Sequence, residues 1–187
     1  MAGPGLRVHG GEAGGRRLVA PTGIRPSEGR VKEAIFNVLG PLVAGSRVLD
    51  LCAGSGALGI EALSRGAERA TFVDQSERAA AAIRRNLEAI GYRERAHVFR
   101  ADAARWVQER PTDVRACDLV LLDPPYNDPV LARLLQLLDG SAPSGALVVV
   151  EHGHRVSLPS LRRLRAVRER RYGDTEVTIL EPAEPGA

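Results

Sequence analysis

Lysine is almost missing from this chain: Lys32 is the single lysine among 26 basic residues, the rest being arginines. A GC-rich genome accounts for such a bias without any function. Cysteine is scarce too, and Cys52 and Cys117 show no framework spacing, which excludes a disulfide scaffold and fits reduced thiols. No apolar run approaches the roughly 18 residues of a membrane helix, and residues 1–5 carry no apolar segment of an export signal. These absences predict a cytoplasmic protein without a membrane partner. Internal repeats and low-complexity tracts are lacking. Glu151, His152 and His154 have a metal-like composition but no further ligand cluster beside them, so they read as structural or substrate-edge residues and no metal is expected.

What remains is a chain of 187 residues, long enough for one domain with a real core. Its formal net charge is +3, and the positive residues crowd the two ends. Arg7, Arg16, Arg17, Arg25, Arg30 and Lys32 lie in the N-terminal arm; Arg155, Arg162, Arg163, Arg165, Arg168, Arg170 and Arg171 lie in the C-terminal one. Basic ends around a balanced middle suit an enzyme that binds a polyanion. For the C-terminal group, a merely solvated strand face is an equal alternative.

Residues 7–20 alternate weakly around Gly10-Gly11 and Gly14-Gly15 and predict a short β element. Residues 28–39 carry Val31, Ala34, Ile35, Val38 and Leu39 at helical spacing, with Ser27 as an N-cap after Pro26. From residue 47 strands and helices alternate: strands over 47–51, 70–74, 96–100, 118–122 and 146–151, helices over 57–65, 77–90, 103–109 and 129–138. That grammar means a mostly parallel sheet covered on both faces. Residues 164–170 and 176–180, around Tyr172-Gly173-Asp174, predict an antiparallel hairpin at the sheet edge. The expected organisation is an N-terminal extension over 1–40, a catalytic domain over 41–182 and a tail over 183–187.

Asp50 closes the first strand, and Gly54, Gly56 and Gly59 follow in the pattern G-x-G-x-x-G. Glycines there let the backbone approach a ligand and the helix approach the sheet. Asp74 ends the second strand, where a carboxylate can grip two ribose hydroxyls. This much also fits NAD. An acidic residue at Asp50 would crowd a pyrophosphate, however, yet could meet the cationic methionine end of S-adenosylmethionine (SAM), directly or through water. Asp102, after the third strand, is placed to accept from an adenine amine.

Asp123-Pro124-Pro125-Tyr126 follows the fourth strand, at the end where open α/β sheets bind ligands. An amine on an aromatic ring delocalises its lone pair and is a poor nucleophile. The Asp123 carboxylate and the Pro124 carbonyl can each accept one of its hydrogens, which pulls the nitrogen toward tetrahedral geometry. The two prolines lock their own φ and so fix that carbonyl's direction. Tyr126 offers a face for an extruded base to stack on. A tight strand-to-helix turn is the competing explanation. Cys52, without a base spaced near it, reads as a packing residue.

At these residues the chain resembles the Rossmann-like class I SAM-dependent methyltransferases with an (Asp/Asn)-Pro-Pro-(Tyr/Phe) motif. Over residues 7–17 (RVHGGEAGGRR), 25–39 (RPSEGRVKEAIFNVL) and 50–66 (DLCAGSGALGIEALSRG) it resembles the RsmD family. That family methylates the N2 amine of a guanine in 16S ribosomal RNA. Ser27 and Lys32 depart from its usual Thr and Arg. The resemblance implies a seven-stranded sheet, and SAM held by Asp50, Ala53, Gly54, Ser55, Gly56, Asp74 and Asp102. It further implies guanine at Asp123, Pro124, Pro125 and Tyr126, and a partner in ribosomal RNA or a small-subunit assembly intermediate. Arg7, Arg17, Arg25, Arg30 and Lys32 are the expected RNA contacts. Residue chemistry alone leaves adenine N6 open as the acceptor. An NAD-dependent oxidoreductase and a non-catalytic assembly factor are the more distant readings.

Overall fold

The computed structural model describes residues 6–20, 29–125, 128–141 and 145–183. Seven strands form one sheet in the order β3-β2-β1-β4-β5-β7-β6. The five strands β1 (Arg47–Leu51), β2 (Arg69–Asp74), β3 (Ala96–Arg100), β4 (Leu119–Leu122) and β5 (Leu147–Gly153) run parallel. β6 (Leu164–Tyr172) and β7 (Thr175–Pro182) form the expected hairpin, with β7 antiparallel to β5 and β6 at the edge. The hairpin is longer than the sequence suggests, because Glu181 and Pro182 still pair with Arg165 and Leu164.

Strand residues alternate between two apolar cores, as the period of two requires. On the first face Val48, Phe72, Leu121, Val149, Val177 and Ile179 meet the helices α1 (Gly29–Leu39), α2 (Ala57–Ser64) and α3 (Glu77–Ile90). On the second, Leu49, Leu51, Val120, Leu122, Val148 and Val150 meet α4 (Ala103–Glu109), α5 (Pro111–Arg115) and α6 (Val130–Ser141). The helix α5 is absent from the sequence expectations. It is five residues long, too short for a visible apolar period, and starts at Pro111 directly after α4 ends. The expected cap of α1, Ser27, lies outside the described residues.

Caps and turns follow the local sequence. Ser76 caps α3 by accepting from the Ala79 amide, and Gly91 closes it in the left-handed region at φ 82°. At the start of β6, Asp139 of α6 accepts from the amides of Arg162, Arg163 and Leu164 at 2.8–3.1 Å. Burial pushes its carboxyl up, but these amides outweigh that and hold it below its ordinary range. His152 braces the β5–β7 pair, its ring meeting Thr178 Oγ1 at 3.0 Å.

The N-terminal segment is bound tightly to the sheet's first layer. Arg7 and Arg17 bridge antiparallel, closing a small loop whose Val8, Ala13 and Leu18 are buried in the first core. Gly11, at φ 75°, lies so close to α2 that a Cβ there would collide with the Ser64 carbonyl. Ser64 Oγ accepts from Ala13 N at 2.9 Å and donates to Gly10 O at 2.6 Å.

Candidate active site

The loop between β1 and α2 is built on left-handed residues: Cys52, Gly54 and Gly56 have φ of 59°, 55° and 75°. Cys52 is the one non-glycine residue with positive φ among those described, a conformation costing about 1–3 kcal/mol that clusters at ligand clamps. Burial, followed by the nearby Asp74 charge, pushes its thiol up to about 12, so it is no nucleophile at neutral pH. Gly59 is a glycine for packing: a Cβ there would strike the Phe72 ring and press on Asp50 Oδ2.

Two carboxylates hold this loop. Asp50 is 1% exposed and its Oδ2 accepts from Gly59 N at 2.9 Å, fixing the first turn of α2. Asp74, half-buried at the end of β2, accepts from Gly54 N and from Ser76 N, each at 2.8 Å. One aspartate thus shapes both the glycine loop and the start of α3. Its oxygens have further lone pairs for ribose hydroxyls.

Asp123 follows β4 on the strand next to β1, half-buried, with Pro124 buried and Pro125 exposed. Tyr126 lies outside the described residues. Burial pushes the Asp50 carboxyl well above its ordinary range, and the charges of Asp123 and Asp74 push it further, against the Gly59 amide. The carboxyl ends of β1, β2 and β4 therefore gather three carboxyl groups close enough to feel one another's charge. Asp102 is exposed and caps α4 by accepting from Arg105 N at 2.8 Å. It borders this edge from β3, which pairs with β2.

The raised Asp50 carboxyl has a consequence for stability. The native state binds this proton more tightly than the unfolded chain, so stability declines as pH rises from the ordinary carboxylate range through the raised value. Asp50→Asn keeps an acceptor for Gly59 and removes the buried charge. Its melting midpoint at pH 8 is expected to be at or above that of the parent, with a flatter dependence from pH 5 to 8. A midpoint well below the parent at pH 8 would show that the charge itself stabilises the ligand-free fold.

Among the expected RNA contacts, Arg7, Arg17 and Arg30 are exposed, and Arg25 lies outside the described residues. Lys32 is a correction. It is fully buried, its Nζ lies 3.2 Å from Glu61 Oε2 and it donates to Arg7 O at 2.5 Å. A phosphate cannot reach it there; it ties α1 to α2 and to the N-terminal segment.

Two residues matter that sequence reasoning missed. Glu61, fully buried on α2, collects His9 N and Gly10 N at 2.8 Å each, Arg65 Nε at 2.9 Å and the Lys32 ammonium. Asn86 on α3, 2% exposed, accepts from Val19 N at 2.7 Å and donates to Val19 O and Ser55 O at 3.0 Å. It joins the N-terminal segment to the glycine loop. A visible signal existed for Glu61: it is the lone charge in the otherwise apolar helix ALGIEALS.

The parallel sheet, its crossover helices and the ligand edge after β1, β2 and β4 define a Rossmann-like methyltransferase architecture. The family described as "Conserved hypothetical protein 95" matches residues 6–181. YlbH of Bacillus subtilis is 42% identical over 182 residues, covering 93% of this chain and 97% of its own. The ribosomal RNA small subunit methyltransferase D of Escherichia coli K12 is 34% identical over 160 residues, 83% of this chain and 79% of its own. Among solved structures, E. coli yhhF superposes with a TM-score of 0.83 at 29% identity, over 95% of this chain and 97% of that one. The chain belongs to the RsmD family.

Proposed function

We propose that this protein is a SAM-dependent ribosomal RNA methyltransferase that modifies the exocyclic N2 amine of a guanine in 16S ribosomal RNA during small-subunit assembly. The observation that carries the reading is the adjacency of Asp123-Pro124-Pro125 to the glycine loop, across neighbouring strands β4 and β1, in a chain of this family. A structure of this fold from Salinibacter ruber, an RNA methyltransferase, was solved with S-adenosyl-L-homocysteine, at 18% identity and a TM-score of 0.66.

The residues suit SAM: the loop allows close backbone approach, Asp74 offers acceptors to ribose, and the electron-rich field around Asp50 favours a cation. Asp50, Ala53, Gly54, Ser55, Gly56, Asp74 and Asp102 are the proposed holders. When bound, SAM supplies an activated methyl group on a sulfonium. The chain's own contribution is orientation. Asp123 and the Pro124 carbonyl accept the two amine hydrogens and direct the nitrogen lone pair; Tyr126 is assigned to stacking. Exposed Arg7, Arg17 and Arg30, with Arg25, are assigned to phosphates.

The test is nucleoside mass spectrometry of 16S ribosomal RNA, free and in partly assembled small subunits, after incubation with protein and SAM. N2-methylguanine is the expected product. N6-methyladenine would instead assign the same chemistry to adenine, and no methylated base from either substrate would remove the reading.

A further inference from the structure

β6 carries Leu164-Arg165-Ala166-Val167-Arg168-Glu169-Arg170-Arg171-Tyr172, and every residue from Arg165 to Arg171 is exposed. Its register with β7 is irregular. Arg165 and Ala166 face Glu181 and Leu180; then Val167 is bulged out, and Arg168, Glu169 and Arg170 face Ile179, Thr178 and Val177. Paired residues of an antiparallel ladder share a face, and one extra residue reverses the facing of everything beyond it. Without the bulge, Val167, Glu169 and Arg171 would share the face of Arg165. With it, Arg165, Arg168 and Arg170 do, and Glu169 is turned away.

The face so chosen is the one on which Val177 and Ile179 meet the first core, beneath α1, which packs against β7. Exposed Arg7, Arg17 and Arg30 belong to that same layer. Register also fixes the height of the row. Leu122 pairs with Val150, so Asp123 is level with Glu151, which pairs with Val177, which pairs with Arg170. Arg170 is therefore on the rung of Asp123, three strands away, or about 14 Å at ordinary strand spacing. Arg165 is held by Glu181 at 2.8 Å, while no side-chain carboxylate pairs with Arg168 or Arg170 among the described residues.

We propose that the bulge at Val167 makes this side of β6 a phosphate track for the RNA substrate, with Arg168 and Arg170 guiding the backbone toward Asp123. This rests on the RNA-methyltransferase reading above. The plain alternative is that the arginines only guard an open edge strand against self-association.

The test measures affinity for transcribed 16S ribosomal RNA across a salt series, for the parent, Arg168→Ala/Arg170→Ala, and Arg115→Ala/Arg171→Ala. The last pair removes equal charge from the sheet's other face, where α5 packs and where Arg171 pairs with Glu176. The track variant is expected to bind about tenfold more weakly at low salt, with the slope of log affinity against log salt shallower by about one to two. Its SAM affinity and melting midpoint should stay parental, and Arg168→Lys/Arg170→Lys should recover much of the slope. Parental RNA affinity in the track variant, with or without new self-association, overturns the proposal. Equal weakening by the far-face pair does too, because net charge alone would then suffice. A parent that methylates RNA while the track variant binds like it sinks only this inference. A parent that methylates neither this RNA nor partly assembled small subunits removes the underlying function as well.

Discussion

Asp123→Ala is expected to slow single-turnover methyl transfer by about 10²- to 10³-fold, the scale for losing one preorganised electrostatic partner of a reacting group. SAM affinity should stay close to parental, since the carboxylate is assigned to the base. Asp123 raises the cost of ionising its neighbour Asp50, and its removal relieves that repulsion. Asp123→Asn, which keeps one acceptor oxygen, should fall between alanine and the parent. Rapid-quench rates with transcribed RNA, paired with calorimetric titration of SAM, check both halves. Parental activity in the alanine variant would end the mechanism; lost SAM binding would move Asp123 to the cofactor side.

The largest effect on stability is expected from Glu61→Ala. Removing one partner of a buried ion pair typically costs about 3–5 kcal/mol, because the other charge is left uncompensated. Here the abandoned groups are the Lys32 ammonium, already depressed by burial, and the amides of His9 and Gly10. Lys32→Met should cost less, since Glu61 keeps both amides and Arg65. Urea denaturation of the two variants gives the comparison. Equal losses would mean that the glutamate is no more the centre of this cluster than the lysine.

The same pair shows why part of the site was not legible in the sequence. In a run of arginines, a lysine between Val31 and Glu33 reads as one more phosphate ligand. Yet Lys32, Phe36 and Leu39 fall on one stripe of α1, and all three are buried. A lysine on an apolar stripe and a glutamate inside an apolar helix are complementary oddities, but only tertiary structure brings them together. The βαβ succession was legible because it is local: Val- and Leu-rich strands, amphipathic helices, and Gly91 where α3 stops. The roles of Asp50 and Asp74 were only half visible. Their position at strand ends is a sequence property; their bonds to Gly59, Gly54 and Ser76 depend on how the loop turns back. The bulge at Val167 left no trace in the pattern, because a strand exposed on both faces has no alternation to break.

The anchoring of the N-terminal segment also bears on the order in which the chain assembles. His9, Gly10 and Ala13 find their partners 51–52 residues later, and Val19 finds Asn86 after 67. During synthesis none of these bonds can form until α2 and then α3 have emerged, and each closes a long loop against chain entropy. The N-terminal segment thus waits for the helices that receive it. When Asn86 finally engages Val19, the same side chain secures Ser55, so the opening of the chain and its glycine loop settle in one event.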